Sequence, residues 1–286
     1  MQELTSLRSP LKLANGVEIP GLGYGTYKSS NEEVTQAVLD ALATGYRHID
    51  TAAYYGNQKG IGEALQQTDL SREDIFITSK VWNTDRGYDQ TMAAFEKTIA
   101  ELGVDYLDLY LIHWPANRKQ FGDQARKINA DTWRALENLY QAGRVRAIGV
   151  SNFMPNHLLE LMADSRIKPM IDQIEYHPGW PQEATRRFCQ RHGILVEAWR
   201  PLGTKVALEN PLIQEIADKY QHSPAQVCLR WSIQQGLLPL PKSVKPERMK
   251  ANADIFDFAL TEDEMDVISS IRIVSAKNQI PDQVDF

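Results

Sequence analysis

Along almost the whole chain, a short aliphatic or β-branched run is followed by an amphipathic stretch, and this alternation limits the folds available. A first run around GLGYGT precedes the helical EEVTQAVLDALATG, YRHID precedes KGIGEALQQ, and DIFITSK precedes YDQTMAAFEKTIAELG. DYLDLYLIH is followed by DTWRALENLYQAG, VRAIGVSN by PNHLLELMADS, and PMIDQIEYH by PQEATRRFCQRHG. ILVEAW and SPAQVCLRWSIQQG come next, and LLPLPKS is the last strand. Strict alternation implies parallel strands covered by helices. About eight such units over roughly 250 residues predict an α/β fold of the (β/α)8 TIM-barrel kind, with an open doubly wound sheet as the alternative.

Ahead of the first unit, LKLANGVEIPGLGYG reads as a β-hairpin over about residues 10–20. Its Asn15-Gly16 pair suits a type I′ turn. No linker-like or low-complexity stretch divides the sequence, so residues 1–286 read as one domain ending in a tail from about residue 273. With 43% hydrophobic and 24% charged residues, the composition is that of an ordinary globular protein. A net charge of -6 argues against nucleic-acid binding as the main role. Cys189 and Cys228 match no metal-ligand spacing and no disulfide framework. The N-terminus carries no signal-like apolar segment, and no run reaches the ~18 apolar residues of a membrane span. A reducing cytoplasm is the expected address.

Every strand run ends on a polar or chemically capable residue. Asp50 closes the second, Lys80 the third and His113 the fourth. Ser151 and Asn152 follow the fifth, and Gln173 lies near the end of the sixth. Trp199 closes the seventh, and Lys242 and Ser243 follow the eighth. In a barrel these ends converge on one mouth, so side chains far apart in sequence would face a common ligand. Singly, a lysine at a strand end is usually solvated, a histidine there structural, and a loop tyrosine packing. Together they set Lys80 beside Asp50 as the natural partner for an otherwise costly buried acid.

The segments GYRHIDTAAYYGN, FITSKVWN, DYLDLYLIHWP, IGVSNF, IDQIEYHP, AWRPLG and LPKSVKPERMKAN, in this order, resemble those of the aldo-keto reductases. The similarity is to the bacterial branch that reduces diketogluconate, glyoxal and methylglyoxal. The resemblance implies a barrel whose N-terminal hairpin closes the bottom, and NADPH-dependent reduction of aldehydes and ketones by a monomer acting on small molecules, without nucleic acid, membrane or metal. It makes Tyr55 the proton donor and completes a tetrad with Asp50, Lys80 and His113. Tyr54 falls outside the pattern and is read as packing. Trp82, Trp114 and Tyr27, with Trp180 as a further candidate, imply an aromatic substrate pocket that includes His113.

Carbonyl reduction puts a hydride on carbon and a proton on oxygen. A tyrosine of pKa about 10 is a reluctant acid, which the Lys80 ammonium is expected to assist while Asp50 keeps that ammonium in place. His113 can hydrogen-bond the substrate oxygen. The hydride needs a cofactor, yet GLGYGT lacks the G-x-G-x-x-G spacing of a dinucleotide fingerprint. By resemblance, NADPH or NADP+ lies across the mouth, with Ser151, Asn152 and Gln173 on its carboxamide and Trp199 stacked on its nicotinamide. Gly25, Thr26, Tyr27, Asp50, Pro201 and Leu202 border it further. Lys242, Ser243 and Arg248 suit a 2′-phosphate, with Val244 among the cofactor-binding residues beside them, and Asn252 the adenine; Ala251 stands where many relatives carry a glutamate.

Arg200 is a candidate for an anionic substrate, a cofactor phosphate or a surface salt bridge. Two other functions remain open in the sequence: a nucleotide-binding regulatory or structural protein on the same barrel, and a Schiff-base aldolase using Lys80.

Overall fold

The structure, a computed structural model, describes residues 4–203, 205–272 and 279–286. Its centre is an eight-stranded sheet in which successive strands pair in parallel, in the order of the sequence. These are β3 (Tyr24–Gly25), β4 (His48–Asp50), β5 (Phe76–Val81), β6 (Leu107–Ile112), β7 (Val145–Ser151), β8 (Ile171–Glu175), β9 (Leu195–Trp199) and β10 (Leu238–Leu240). The first and last strands meet where Gly23 N donates to Pro239 O at 3.1 Å and Gly25 N to Pro241 O at 3.0 Å, which closes the barrel. The approach requires glycine. A Cβ on Gly23 would lie 2.4 Å from Leu240 and 2.6 Å from His48 Nδ1.

The hairpin strands β1 (Pro10–Lys12) and β2 (Glu18–Pro20) pair antiparallel. Asn15 Nδ2 donates to Arg146 O at 2.9 Å, which pins the hairpin to the start of β7, the bottom of the barrel. Its turn is not type I′. That turn needs positive φ at both central residues, and only Gly16, at φ 86°, has it. Gly16 N instead reaches Leu13 O at 2.9 Å, a tight turn followed by one left-handed residue.

Helices α1 (Asn31–Thr44), α2 (Gln58–Gln67), α3 (Tyr88–Leu102), α5 (Gln124–Gln141), α6 (Pro155–Asp164), α7 (Glu183–His192) and α10 (Pro224–Gln234) are those the periodicity predicts. Further helices are α4 (Arg118–Phe121), α8 (Lys205–Leu208), α9 (Pro211–Tyr220), α11 (Pro246–Ala253) and α12 (Glu262–Ser270). Capping explains where several begin. Ser30 accepts from Glu33 N ahead of α1, and Ser223 with Gln226 forms a capping box on α10.

Strands β4 to β8 are buried along their length, apart from Arg146. With a side-chain period of two, His48 and Asp50, Thr78 and Lys80, and Gln173 point into the barrel with Glu197. Asp172, one residue from Gln173, turns instead to Cys189 on α7. The barrel interior is therefore polar near the mouth, and this polar column is the floor of the site.

Candidate active site

At the floor, Lys80 is fully buried and its Nζ lies 2.8 Å from each oxygen of Asp50. The same ammonium donates to Thr51 O at 2.9 Å and reaches the Tyr55 hydroxyl at 3.3 Å. Tyr55 sits on a short 3-10 turn, Ala53–Tyr55, directly after β4. Burial works against charge on Lys80, but Asp50 and Tyr55 outweigh it and the amine pKa is raised. Lys80 is thus a cation at neutral pH.

The same balance sets the state of Tyr55. Burial pushes Tyr55 up to about 12, and the Lys80 ammonium only partly offsets it. Lys80 acts in the expected direction but does not bring the phenol below its ordinary value. Tyr55 therefore holds its proton at neutral pH, the state a donor requires.

His113, one residue past β6, has its ring 5.7 Å from that of Tyr55 and borders the same cleft. Burial, then the Lys80 charge, holds its pKa well below the usual imidazole value, so the ring is neutral. Its Nδ1 is buried and, among the described residues, has no hydrogen-bond partner.

The opposite side of the floor is a second hydrogen-bonded group. Asn152 adopts a left-handed conformation, φ 63°, and its Nδ2 donates to His113 O at 2.9 Å and to Ser151 Oγ at 3.0 Å. Its Oδ1 accepts from Trp199 Nε1 at 2.9 Å, which orients the indole. Ser151 Oγ donates to Gln173 O at 2.7 Å. Gln173 Nε2 donates to Asp50 Oδ2 and to Glu197 Oε2, both at 2.8 Å. Both amide hydrogens are thereby used, and the carbonyl oxygen is left as an acceptor for a ligand in the cleft.

The walls are aromatic. Tyr54 stacks on Trp82 with ring centroids 3.9 Å apart and planes 21° apart, and Trp82 lies nearly parallel to Phe286 at 6.0 Å. Phe286 also meets Trp114 edge-on at 5.3 Å, and Tyr27 leans on Tyr55 at 4.9 Å. The cleft has a volume of about 810 Å³ and extends from these rings past Trp199, Pro201 and Leu202 to Gly25 and Lys242. That is the size of a site for a cofactor with a small substrate.

Lys80 and Thr26 do not line this cleft. Thr26 is buried behind it, its hydroxyl on Asp50 O at 2.9 Å. Ser243 and Val244 continue the chain beyond Lys242, and Arg248 and Asn252 follow on α11, outside the cleft wall. Trp180 is not on the wall either; it forms a bridge with His177. Arg200 is at the cleft edge with φ 56°, its Nη1 3.1 Å from Oε1 of the buried Glu175. A salt bridge is therefore present, made to an interior acid and not a surface one.

Tyr54 is packed as expected, but on the pocket wall, half exposed to the cleft. Lys28, Gln279 and Phe286 also border the cleft, and nothing in their local sequence marks them. Of the tail expected from about residue 273, residues 273–278 lie outside the described residues. Its last eight residues pass beside the substrate end of the cleft.

The residues present fit a nicotinamide dinucleotide: a flat indole, a free amide acceptor beside it, and a basic residue at the far end of the cleft. Residues 20–273 match the model of the aldo/keto reductase family. The chain is 48% identical over 283 residues to glyoxal reductase of Bacillus subtilis, covering 99% of each. A crystal structure of an aldo/keto reductase from Brucella melitensis superposes with a TM-score of 0.86 at 46% identity, over 91% of this chain and 98% of that one. An aldo-keto reductase of Bombyx mori in complex with NADP superposes with a TM-score of 0.84 at 36% identity, over 91% and 92%. The chain belongs to the aldo/keto reductase family.

Proposed function

We propose that this protein reduces aldehydes and ketones to alcohols with NADPH, and that Tyr55 delivers the proton. One observation carries the assignment of the donor: a buried ammonium holds both oxygens of Asp50 and the hydroxyl of Tyr55 at the foot of a cleft bordered by a neutral imidazole. Bound NADPH supplies the hydride, since no side chain can. The side chains do the rest. Neutral His113 donates a hydrogen bond to the substrate oxygen and orients it toward the Tyr55 hydroxyl. As negative charge grows on that oxygen, the Tyr55 proton moves to it, and the phenolate left behind is stabilised by Lys80. Asp50 fixes Lys80 and keeps it charged.

For the cofactor, Ser151, Asn152 and Gln173 are assigned to the carboxamide and Trp199 to the nicotinamide face. Gly25, Tyr27, Asp50, Pro201 and Leu202 are assigned to its border, with Thr26 behind them holding Asp50 O. Lys242, Ser243 and Arg248 would receive the 2′-phosphate, with Val244 beside them against the cofactor, and Asn252 the adenine. The similarity to a glyoxal reductase and the aromatic walls at Tyr54, Trp82, Trp114 and Phe286 favour small aldehydes and dicarbonyls as substrates. Cys189 and Cys228 are unpaired and buried, which suits a reducing compartment. We infer a monomer of one functional unit, to be checked by light scattering.

The test is NADPH consumption across aldehydes, ketones and keto-sugars, repeated with NADH. Tyr55→Phe is expected to lower kcat by about 100-fold or more with NADPH affinity nearly unchanged. Turnover like that of the parent in this variant would remove Tyr55 from the role. Arg248→Ala should raise KM for NADPH without raising it for NADH.

A further inference from the structure

Glu197, on β9 beneath the site, takes no direct part in the chemistry above, yet it shares one nitrogen with the tetrad. Gln173 Nε2 bonds Asp50 on one side and Glu197 on the other, each at 2.8 Å. Two buried carboxylates thus flank a single neutral amide. The nearby cation is hydrogen-bonded to only one of them: the Lys80 ammonium is directed to Asp50, Thr51 and Tyr55. Among the described residues, the other neighbours of Glu197 supply no charge. On β4, His48 lies with Nε2 4.0 Å from Glu197 Oε1, and burial, then Lys80, holds that imidazole neutral with a pKa of about 3. On β5, Thr78 occupies His48 Nε2 at 2.9 Å. On β10 the residue in register with Glu197 is Leu238. Glu197 is fully buried, and its Oε1 has no hydrogen-bond partner among the described residues.

A bare carboxylate in that setting is costly, and a carboxylic acid is not. We propose that Glu197 is a positioning residue, protonated at neutral pH, that locks the Gln173 amide with its carbonyl toward the cofactor and whose ionisation limits carbonyl reduction at alkaline pH. The lock follows from donor count. Turning the amide over would set its carbonyl oxygen against the ionised Asp50 and take away the N–H that Glu197 Oε2 accepts. The pH limit follows from charge. Burial, then Asp50, pushes Glu197 up to about 8, with Gln173 and Lys80 pulling the other way. Above that value a second anion joins Asp50 under Lys80, favours the protonated phenol of Tyr55, and slows release of its proton to substrate.

The kinetic arm of the test rests on the carbonyl-reductase reading; the spectroscopic arm does not. In infrared titration of the cofactor-free protein, a protonated carboxyl band should vanish with a midpoint near 8 and be missing from Glu197→Gln. Asp172 is also buried, with its pKa raised by burial, so carboxyl-labelled glutamate is used to separate the two. The labelled parent protein gives the answer even if the variant does not fold. In steady-state kinetics, kcat of the parent should fall roughly tenfold between about pH 7 and pH 9.5, and Glu197→Gln should lose that limb. A merely structural role would lower kcat at every pH and leave the limb in place. No labelled protonated band at pH 6, or the same alkaline limb in both proteins, would overturn the proposal. Failure to turn over any carbonyl would instead defeat the functional reading and leave the infrared result standing.

Discussion

Lys80 has three ammonium hydrogens and four acceptor atoms around it, all in the interior. Its removal leaves Asp50 without a counter-charge, and breaking a buried pair in this way costs about 3 to 5 kcal/mol. Lys80→Met should therefore lose that much stability in urea unfolding. Adding Asp50→Asn should recover most of it, because the stranded charge is gone. If the double variant is no more stable than the single one, the loss comes from packing. At this scale the residue pattern carries Asp50, Lys80 and His113, each at or just past the end of a strand that opens on the mouth, and the resemblance supplies Tyr55. The pattern carries Tyr54 and Glu197 poorly. Tyr54 is one position from Tyr55 on a short turn, and its place on the pocket wall against Trp82 follows from the turn's geometry, which no local pattern shows. Glu197 reads as an ordinary strand residue until its lack of a cation is visible.

Among the elements, residues 279–286 put Gln279 and Phe286 on the pocket wall. Asn117 Nδ2 holds this segment by Pro281 O at 2.8 Å and Val284 O at 3.0 Å, and Asn83 Nδ2 holds Phe286 O at 3.0 Å. His157 adds Nε2 to Asp282 at 2.8 Å. Asn117→Ala strands two carbonyls at about 1 to 3 kcal/mol each, enough to loosen the segment. Faster limited proteolysis near these residues is expected, with a KM for aromatic aldehydes raised about threefold or more. Unchanged proteolysis would show that the other contacts suffice. The path of this tail was not legible in the sequence, because it rests on polar side chains distant in the chain. The barrel strands were legible, because hydrophobic runs bounded by glycines and caps are local signals. Helices α4, α8, α9, α11 and α12 went unread between and after the repeating units, although Asn210 before α9 and Thr261 before α12 are ordinary caps.

For the molecule as a whole, the buried polar column couples stability to pH from two directions. His48 is held neutral with a pKa near 3, below its free value of about 6.5, so its contribution is intact above that value and lost as pH falls toward 3. Glu197 is raised, so its contribution is complete below the ordinary carboxylate range and is lost as pH rises through about 8. Each pH unit inside either window is worth up to about 1.4 kcal/mol. Urea unfolding should therefore show His48→Gln losing less stability than the parent as pH falls below about 6. Glu197→Gln should gain on the parent steadily between pH 5 and 8. Parallel curves for parent and variants would place the dependence elsewhere.

The two ends of the described chain lie at opposite poles. Leu4 packs beside Gly21 near the hairpin that covers the barrel base, whereas Phe286 stands among the indoles of Trp82 and Trp114. A purification handle or immobilising tether fused behind Phe286 would start at the doorway of the reaction chamber and compete with whatever enters. The same appendage fused in front of residue 4 would hang from the far pole, away from that doorway.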